Sequence, residues 1–319
     1  MWKNAWLRPA ALRLLLIGLA IAGCLAFQPA RGQPVDCPQL PAASAAPAAD
    51  RGLLWRLRKN GRISYLYATL HLGRAGWLSP GPRLEAALRS SQVLALEIDA
   101  SDAATQRQLA ELSAASPAVQ PDPALRELLR RRARAACLPP DALATLHPLM
   151  QAMTLTLLEA RRDGLDAGFA AEQMLLDRAK ALGLRVAALE TASAQLALLL
   201  PSDPLEAREQ ARQALEQLEQ DGARPVMRRL AEAWERGDLD ELERYEQWCD
   251  CANDDKERAW LRQLNDGRNP ALAAGIAALH DGGAAVFAAV GALHMTGPQA
   301  LPKLLTLHGF GVERVELAR

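Results

Sequence analysis

The sequence predicts an α/β (α+β) fold: a central mixed sheet built from both ends of the chain, with a large helical insert between them. Three observations carry this expectation. Apolar runs of strand length occur near residues 53–70 and 93–99, and again near 285–291 and 312–317. The stretch from about 101 to 182 carries helix caps and no strand-like alternation. Half of the residues are apolar, with Ala and Leu prominent, and both favour helices.

The chain opens with a basic start, Met1 to Arg8, and an apolar run from Leu12 to Phe27 broken by Arg13. A basic start and a short apolar run make an export signal rather than a stable span. Two cleavage readings compete. Ala30-Arg31-Gly32 sets small residues before Gln33, giving a signal peptide over 1–32. Ile21-Ala22-Gly23-Cys24 instead resembles a lipobox, which would anchor the protein to a membrane through a lipid on Cys24. Either way the expected location is periplasmic or secreted. Residues 33–50 are rich in Ala and Pro and read as a linker, leaving 51–319 for one domain. Lys and Arg number 37, as do Asp and Glu, so no nucleic-acid partner is expected.

Four cysteines follow the export signal: Cys37, Cys137, Cys249 and Cys251. An oxidising compartment permits disulfides, and four cysteines allow three pairings. The spacing of Cys249 and Cys251 is unlike the usual metal-ligand pairs. A disulfide from Cys137 to one of that pair is the expectation.

Leu53 to Lys59 reads as a strand, Asn60-Gly61 as a hairpin turn, and Ile63 to Leu70 as the partner strand, ending at His71. A helix over 83–90 follows Pro82. Val93 to Asp99 is apolar on both faces as far as Glu97, as a strand covered by helices should be. In the insert, Asp122-Pro123 opens one helix, Pro139-Pro140-Asp141 a second that runs to about Arg162, and Gly164-Leu165-Asp166 a third that Gly183 stops. Arg185 to Glu190 is the next strand. Helices are then predicted from Thr191, over 204–220, 223–236 and 239–248, and from near Asp254. One more, over 270–280, leads into the strand before His294. A helix over 299–307 and a strand over 312–317 finish the chain.

Ala68-Thr69-Leu70-His71 and Gly291-Ala292-Leu293-His294 repeat one pattern: a small residue, two further residues, then a histidine at a strand end. A lone histidine there is ordinarily structural; its recurrence at both ends of the chain argues for a shared site. Open α/β sheets bind ligands beyond the carboxyl ends of their strands. His71, His294 and a carboxylate, Glu97 or Glu190, form a donor set suited to a divalent ion with a place left for water. Each glutamate closes its own strand, and the second of them would serve as base or as a hydrogen-bond partner to a ligand. The bland reading of Glu97 and Glu190 is a helix N-terminal acid, although Asp99 and Thr191 are plausible caps instead. His147, His280 and His308 read as structural or surface residues. No phosphate loop, H-E-x-x-H helix or G-x-S-x-G elbow is present.

These motifs carry a family resemblance. With Leu96-Glu97, Leu189-Glu190-Thr191, Gly267-Arg268-Asn269 and Leu54-Trp55-Arg56, the two histidine motifs resemble the TraB/PrgY/GumN family, which is related to the Tiki-type metalloproteases. The likeness runs from about Leu53 to Val315. It implies a metal-dependent hydrolase, a peptidase or a related enzyme, acting on a peptide or protein. The implied cofactor is a divalent ion (Mn, Co or Zn) on His71, His294 and Glu97, with Glu97, Glu190 and Arg268 as catalytic or supporting residues. Arg268 would orient Glu97 or Glu190, or hold a substrate carboxylate through its planar fork. Ala68 stands where the family usually has Gly, a change that matters only if the position needs φ > 0. A non-catalytic peptide- or signal-binding protein on the same fold is the alternative.

Overall fold

The computed structural model describes residues 37–41, 48–249 and 251–317. The expected signal peptide over 1–32, its cleavage site and Cys24 lie outside the described residues, as does most of the linker over 33–50.

Six strands form one mixed sheet: β1 (Leu54–Lys59), β2 (Arg62–Thr69), β3 (Val93–Leu96), β4 (Arg185–Ala188), β5 (Val286–Gly291) and β6 (Gly311–Val315). Their order is β4-β3-β5-β2-β1-β6. β4, β3, β5 and β2 run parallel, while β1 pairs antiparallel with both β2 and β6. First and last strands are thus neighbours, as a sheet drawn from both chain ends requires. Asn60 and Gly61 both adopt positive φ, 51° and 72°, the turn geometry that matches strand twist in a two-residue hairpin. β3 is buried at all four residues and β5 at five of six, because both lie inside the sheet and are covered on both faces. The edge strands β4 and β6 are largely exposed or half-buried, and their sequences are correspondingly more polar.

The helices are α1 (Pro82–Arg89), α2 (Ala103–Leu112), α3 (Pro123–Ala135), α4 (Pro148–Glu159), α5 (Ala171–Leu182), α6 (Ala192–Leu199), α7 (Pro204–Glu219), α8 (Ala223–Glu235), α9 (Leu239–Glu243), α10 (Tyr245–Trp248), α11 (Asp255–Leu264), α12 (Asn269–Asp281) and α13 (Leu301–Leu307). Between 101 and 182 the described backbone is helix and turn, with isolated bridges but no ladder strand. Asp122 caps α3 as expected, its carboxylate accepting from the Leu125 N–H at 2.9 Å.

Three boundaries differ from expectation. The helix predicted from Pro139 begins only at Pro148. His147 precedes a proline and is held extended (φ −49°, ψ 136°), so the chain turns before the helix starts. Asp166 caps a single 3-10 turn over Ala167–Phe169, and α5 starts at Ala171. The helix predicted over 239–248 breaks at Arg244 into α9 and α10.

The expected disulfide from Cys137 to the Cys249/Cys251 pair does not form. Cys137 bonds Cys37, and Cys249 bonds Cys251. Cys249 and Cys251 sit 5.1 Å apart at Cα, ordinary bonding range.

Candidate functional site at the parallel-strand rim

Parallel register sets the site. Thr69 at the end of β2 pairs with Gly291 at the end of β5, and Leu96 at the end of β3 pairs with Ala289 and with Ala188. The four parallel strands therefore finish along one rim. His71 lies two residues beyond β2, Glu97 just beyond β3, Glu190 two beyond β4, and His294 in the 3-10 turn Ala292–Met295 after β5. Arg268, the residue before α12, reaches in from the helix start.

A side-chain β-carbon built at Gly291 would lie 3.2 Å from Glu97 Oε1, 3.6 Å from His294 Cδ2 and 4.0 Å from His71 Nε2. The space in front of Gly291 is thus the point on which the three predicted donors converge, and only a residue with no side chain leaves it open. Ala68 is not among the residues with positive φ, so alanine fits there without strain. Its carbonyl accepts from Trp234 Nε1 at 2.8 Å, which ties α8 to β2 below His71.

Arg268 is 6% exposed and holds the centre of the network. Its Nη2 donates to both Glu97 Oε2 and Glu190 Oε2, and its Nε donates to Glu190 Oε1 at 3.0 Å. Its Nη1 lies 3.1 Å from His294 Nε2. The fork is occupied by the protein's own carboxylates, so it is not free for a substrate carboxylate. Glu97 is fully engaged: Oε1 accepts from the Gly291 N–H at 2.7 Å, and Oε2 accepts from Gln195 Nε2 at 3.0 Å as well as from Arg268.

The tautomer of His294 follows from its neighbours. The Asn269 amide nitrogen donates to the carbonyls of His294 (3.2 Å) and Gln299 (2.8 Å), which turns its Oδ1 towards His294 Nδ1 at 2.6 Å. Nδ1 therefore carries the proton and Nε2 accepts from Arg268. Burial is the largest influence on this ring and lowers its pKa to about 4, with Glu97 opposing that shift. His294 is neutral at physiological pH.

His71 behaves oppositely. Its Nδ1 lies 3.0 Å from Glu172 Oε1 in the first turn of α5. Burial works against its charged form, but Glu172 and Glu97 outweigh it and the pKa is raised. Burial likewise opposes the charge of Glu97, and Arg268, His294 and His71 reverse this, holding its carboxyl well below the usual range. With its side chain 19% exposed, His71 is more open to solvent than Glu97, Arg268 or His294.

Sequence reasoning missed three groups. Glu172 and Gln195 orient His71 and Glu97, and Asn269 acts on His294 although the sequence marks it only as part of a motif. The signal for Glu172 is its place in the first turn of α5, which a helix predicted to start at Asp166 conceals. Among the histidines read as structural, His280 is fully buried at the far end of the strands. The Ser64 hydroxyl donates to its Nδ1 at 2.8 Å, and its Nε2–H donates to the Lys59 carbonyl at 3.0 Å. His147 caps α4, and His308 is exposed.

The donor chemistry at the rim suits a divalent ion. His71 Nε2 and Glu97 Oε1 face the cradle at Gly291, whereas His294 presents Cδ2 there and turns its Nε2 to Arg268. As they stand the donors do not enclose an ion: among the described residues no group of three or more His, Cys, Asp and Glu side chains is gathered to hold a metal. The Arg268 guanidinium lies against the same lone pairs. Among the described residues no helix is long and apolar enough to cross a membrane.

A family model described as the TraB/PrgY/gumN family matches residues 53–314. No curated protein and no solved structure matches the chain.

Proposed function

The chain belongs to the TraB/PrgY/gumN family, and from that premise we propose that the rim is the active site of an exported metal-dependent hydrolase, a peptidase acting on a peptide or protein substrate. The observation that supports it is the convergence of His71, His294 and Glu97 on the open space before Gly291. The ion, Mn, Co or Zn, would draw on His71 Nε2, His294 Nε2 and Glu97, and when bound would supply a water more acidic than bulk. The protein's own part is orientation. Glu172 and Asn269 fix the two rings through Nδ1, while Gly291 and Gln195 fix the Glu97 carboxylate. Glu190 holds Arg268, which in turn donates to that carboxylate.

Metal content per chain of the purified mature protein tests this reading, measured beside far-UV circular dichroism. His71→Ala and His294→Ala should each lose the ion and keep the fold, whereas His308→Ala should keep both. His280→Ala should keep the ion but lose stability, because it removes the buried bonds to Ser64 and Lys59. If His71→Ala and His294→Ala retain the parent's metal, the hydrolase reading fails.

One observation favours a second reading, a non-catalytic peptide- or signal-binding protein. Both Glu97 oxygens already accept from Gly291, Gln195 and Arg268, which is a closed network rather than a poised one. Capture of a peptide without turnover, in protein free of stoichiometric metal, would select it. We place the protein in the periplasm or outside the cell, with Cys24 as the lipid-bearing alternative. Fractionation of the parent and of Cys24→Ser decides between free and anchored forms, and uncleaved chain in the cytosol would refute export.

A further inference from the structure

The rim already contains a cation. Arg268 is buried between Glu97 and Glu190, and it donates to both carboxylates through one nitrogen. It also faces His294 Nε2 at 3.1 Å. With Nδ1 protonated against Asn269, His294 has a single acceptor nitrogen. That lone pair can accept from the guanidinium or bind an ion, but not both. Glu97 Oε2 is likewise shared between Arg268 and Gln195.

Charge favours the same exclusion locally. Glu97 and Glu190 bring two negative charges to the atoms around Arg268, His294 none, and Glu172 stands further out, on His71. A divalent ion in place of Arg268 would neutralise the Glu97–Glu190 pair, whereas an ion beside Arg268 would set two cations against the same oxygens, where like charges repel.

Resting on the metal reading above, we infer that the Arg268 guanidinium and a divalent ion are alternative occupants of one donor set, so that metal enters only as Arg268 withdraws. There is room for the withdrawal. A cleft of about 500 Å³ opens beside Arg268, lined also by Leu198, Arg262, Gln263, Asp266, Pro298 and Gln299. Asp266 offers the displaced guanidinium a carboxylate there.

Isothermal titration with MnCl2 and with ZnCl2 tests this on the parent, on Arg268→Met, which keeps length and drops charge, and on Arg268→Met/Glu190→Gln. The double variant removes one charge of each sign, so that the net charge around Glu97 is that of the parent and folding does not depend on a bound ion. Both variants should bind the ions at least about tenfold more tightly than the parent, since each removes a competing like charge. Thermal unfolding should show the same order, with the melting temperature rising on ion addition far more in the variants. If the single variant folds only with metal present, that too supports the inference, and the double variant supplies the affinity. Parent and variants binding equally tightly would overturn the inference and leave the metal reading standing. If neither variant nor the parent binds either ion, both fail.

Discussion

The two rim histidines titrate in opposite senses, although both end equivalent strands. His294 is buried at 3% exposure with its Nε2 facing a guanidinium, so its charged form is disfavoured. Between the ordinary value of 6.5 and about 4 the unfolded chain binds this proton and the folded one does not. The contribution is therefore complete above 6.5 and is lost as the pH falls to about 4, an effect of about 3 kcal/mol. His71, with its raised pKa, has the opposite sign: its contribution is present below 6.5 and is lost as the pH rises through the folded value. Urea unfolding across this range should show the acid-side slope flattened in His294→Asn and the alkaline-side loss reduced in Glu172→Gln. Gly291→Ala would set a methyl 3.2 Å from Glu97 Oε1, a tight approach that the neighbours can relieve by a small shift. It should cost about 1 kcal/mol or less in stability while lowering metal content, since it fills the cradle. The strand-end residues were legible in the sequence because a continuous apolar run of strand length that stops at a polar residue fixes where that residue emerges. Glu172, Gln195 and Asn269 were not, because each acts through a helix face whose packing partner is set by tertiary contacts.

At the scale of elements, backbone bonds couple the insert to the rim, and beside the Ala171 N–H, which donates to the Leu70 carbonyl at 3.2 Å, there is a reciprocal pair. The Gly73 N–H donates to the Asp166 carbonyl at 3.0 Å, and the Asp166 N–H donates back at 2.9 Å. This bridge sets the start of α5, and with it Glu172 against His71. Gly73 permits it: a β-carbon there would lie 1.7 Å from the Phe169 carbonyl oxygen, a clash with backbone that no rotamer can relieve. Gly76, three residues on, has nothing within 4 Å of the same position. Gly73→Ala should therefore lower stability by about 3 kcal/mol or more, and Gly76→Ala should stay within about 0.5 kcal/mol. Chemical denaturation measures both, and a Gly73→Ala as stable as Gly76→Ala would refute the coupling. Strand existence and order along the chain were readable from apolar runs. The start of α4 was misplaced because proline-rich openings occur twice, at 139–140 and at 148; the chain runs in turns after the first, whereas His147 before the second is extended and hands directly into helix.

For the whole molecule, the sheet joins the two ends of the chain, and a disulfide joins the N-terminal segment to the insert. β6 pairs with β1, which places the last strand beside the hairpin that carries His71. The Cys37–Cys137 bond closes a loop across a sequence separation of 100 and reaches the end of α3, where Cys137 adopts φ 62°. Cys249–Cys251 spans a separation of only 2. Restriction of the unfolded chain grows with loop length, so the two bonds should differ in their worth. Removing the long one with Cys37→Ala/Cys137→Ala should cost about 4–5 kcal/mol, whereas the loop-closure loss from Cys249→Ala/Cys251→Ala should be about 1 kcal/mol. Both pairs would form only in an oxidising compartment, so the comparison also bears on export. Guanidinium unfolding without reductant is the direct measurement, with the parent repeated in dithiothreitol. Reduction of the parent should reproduce the larger loss. Should the two double variants lose equal stability, loop closure is not what the long bridge contributes, and Cys37 is then a tether of the linker rather than a clamp on the insert.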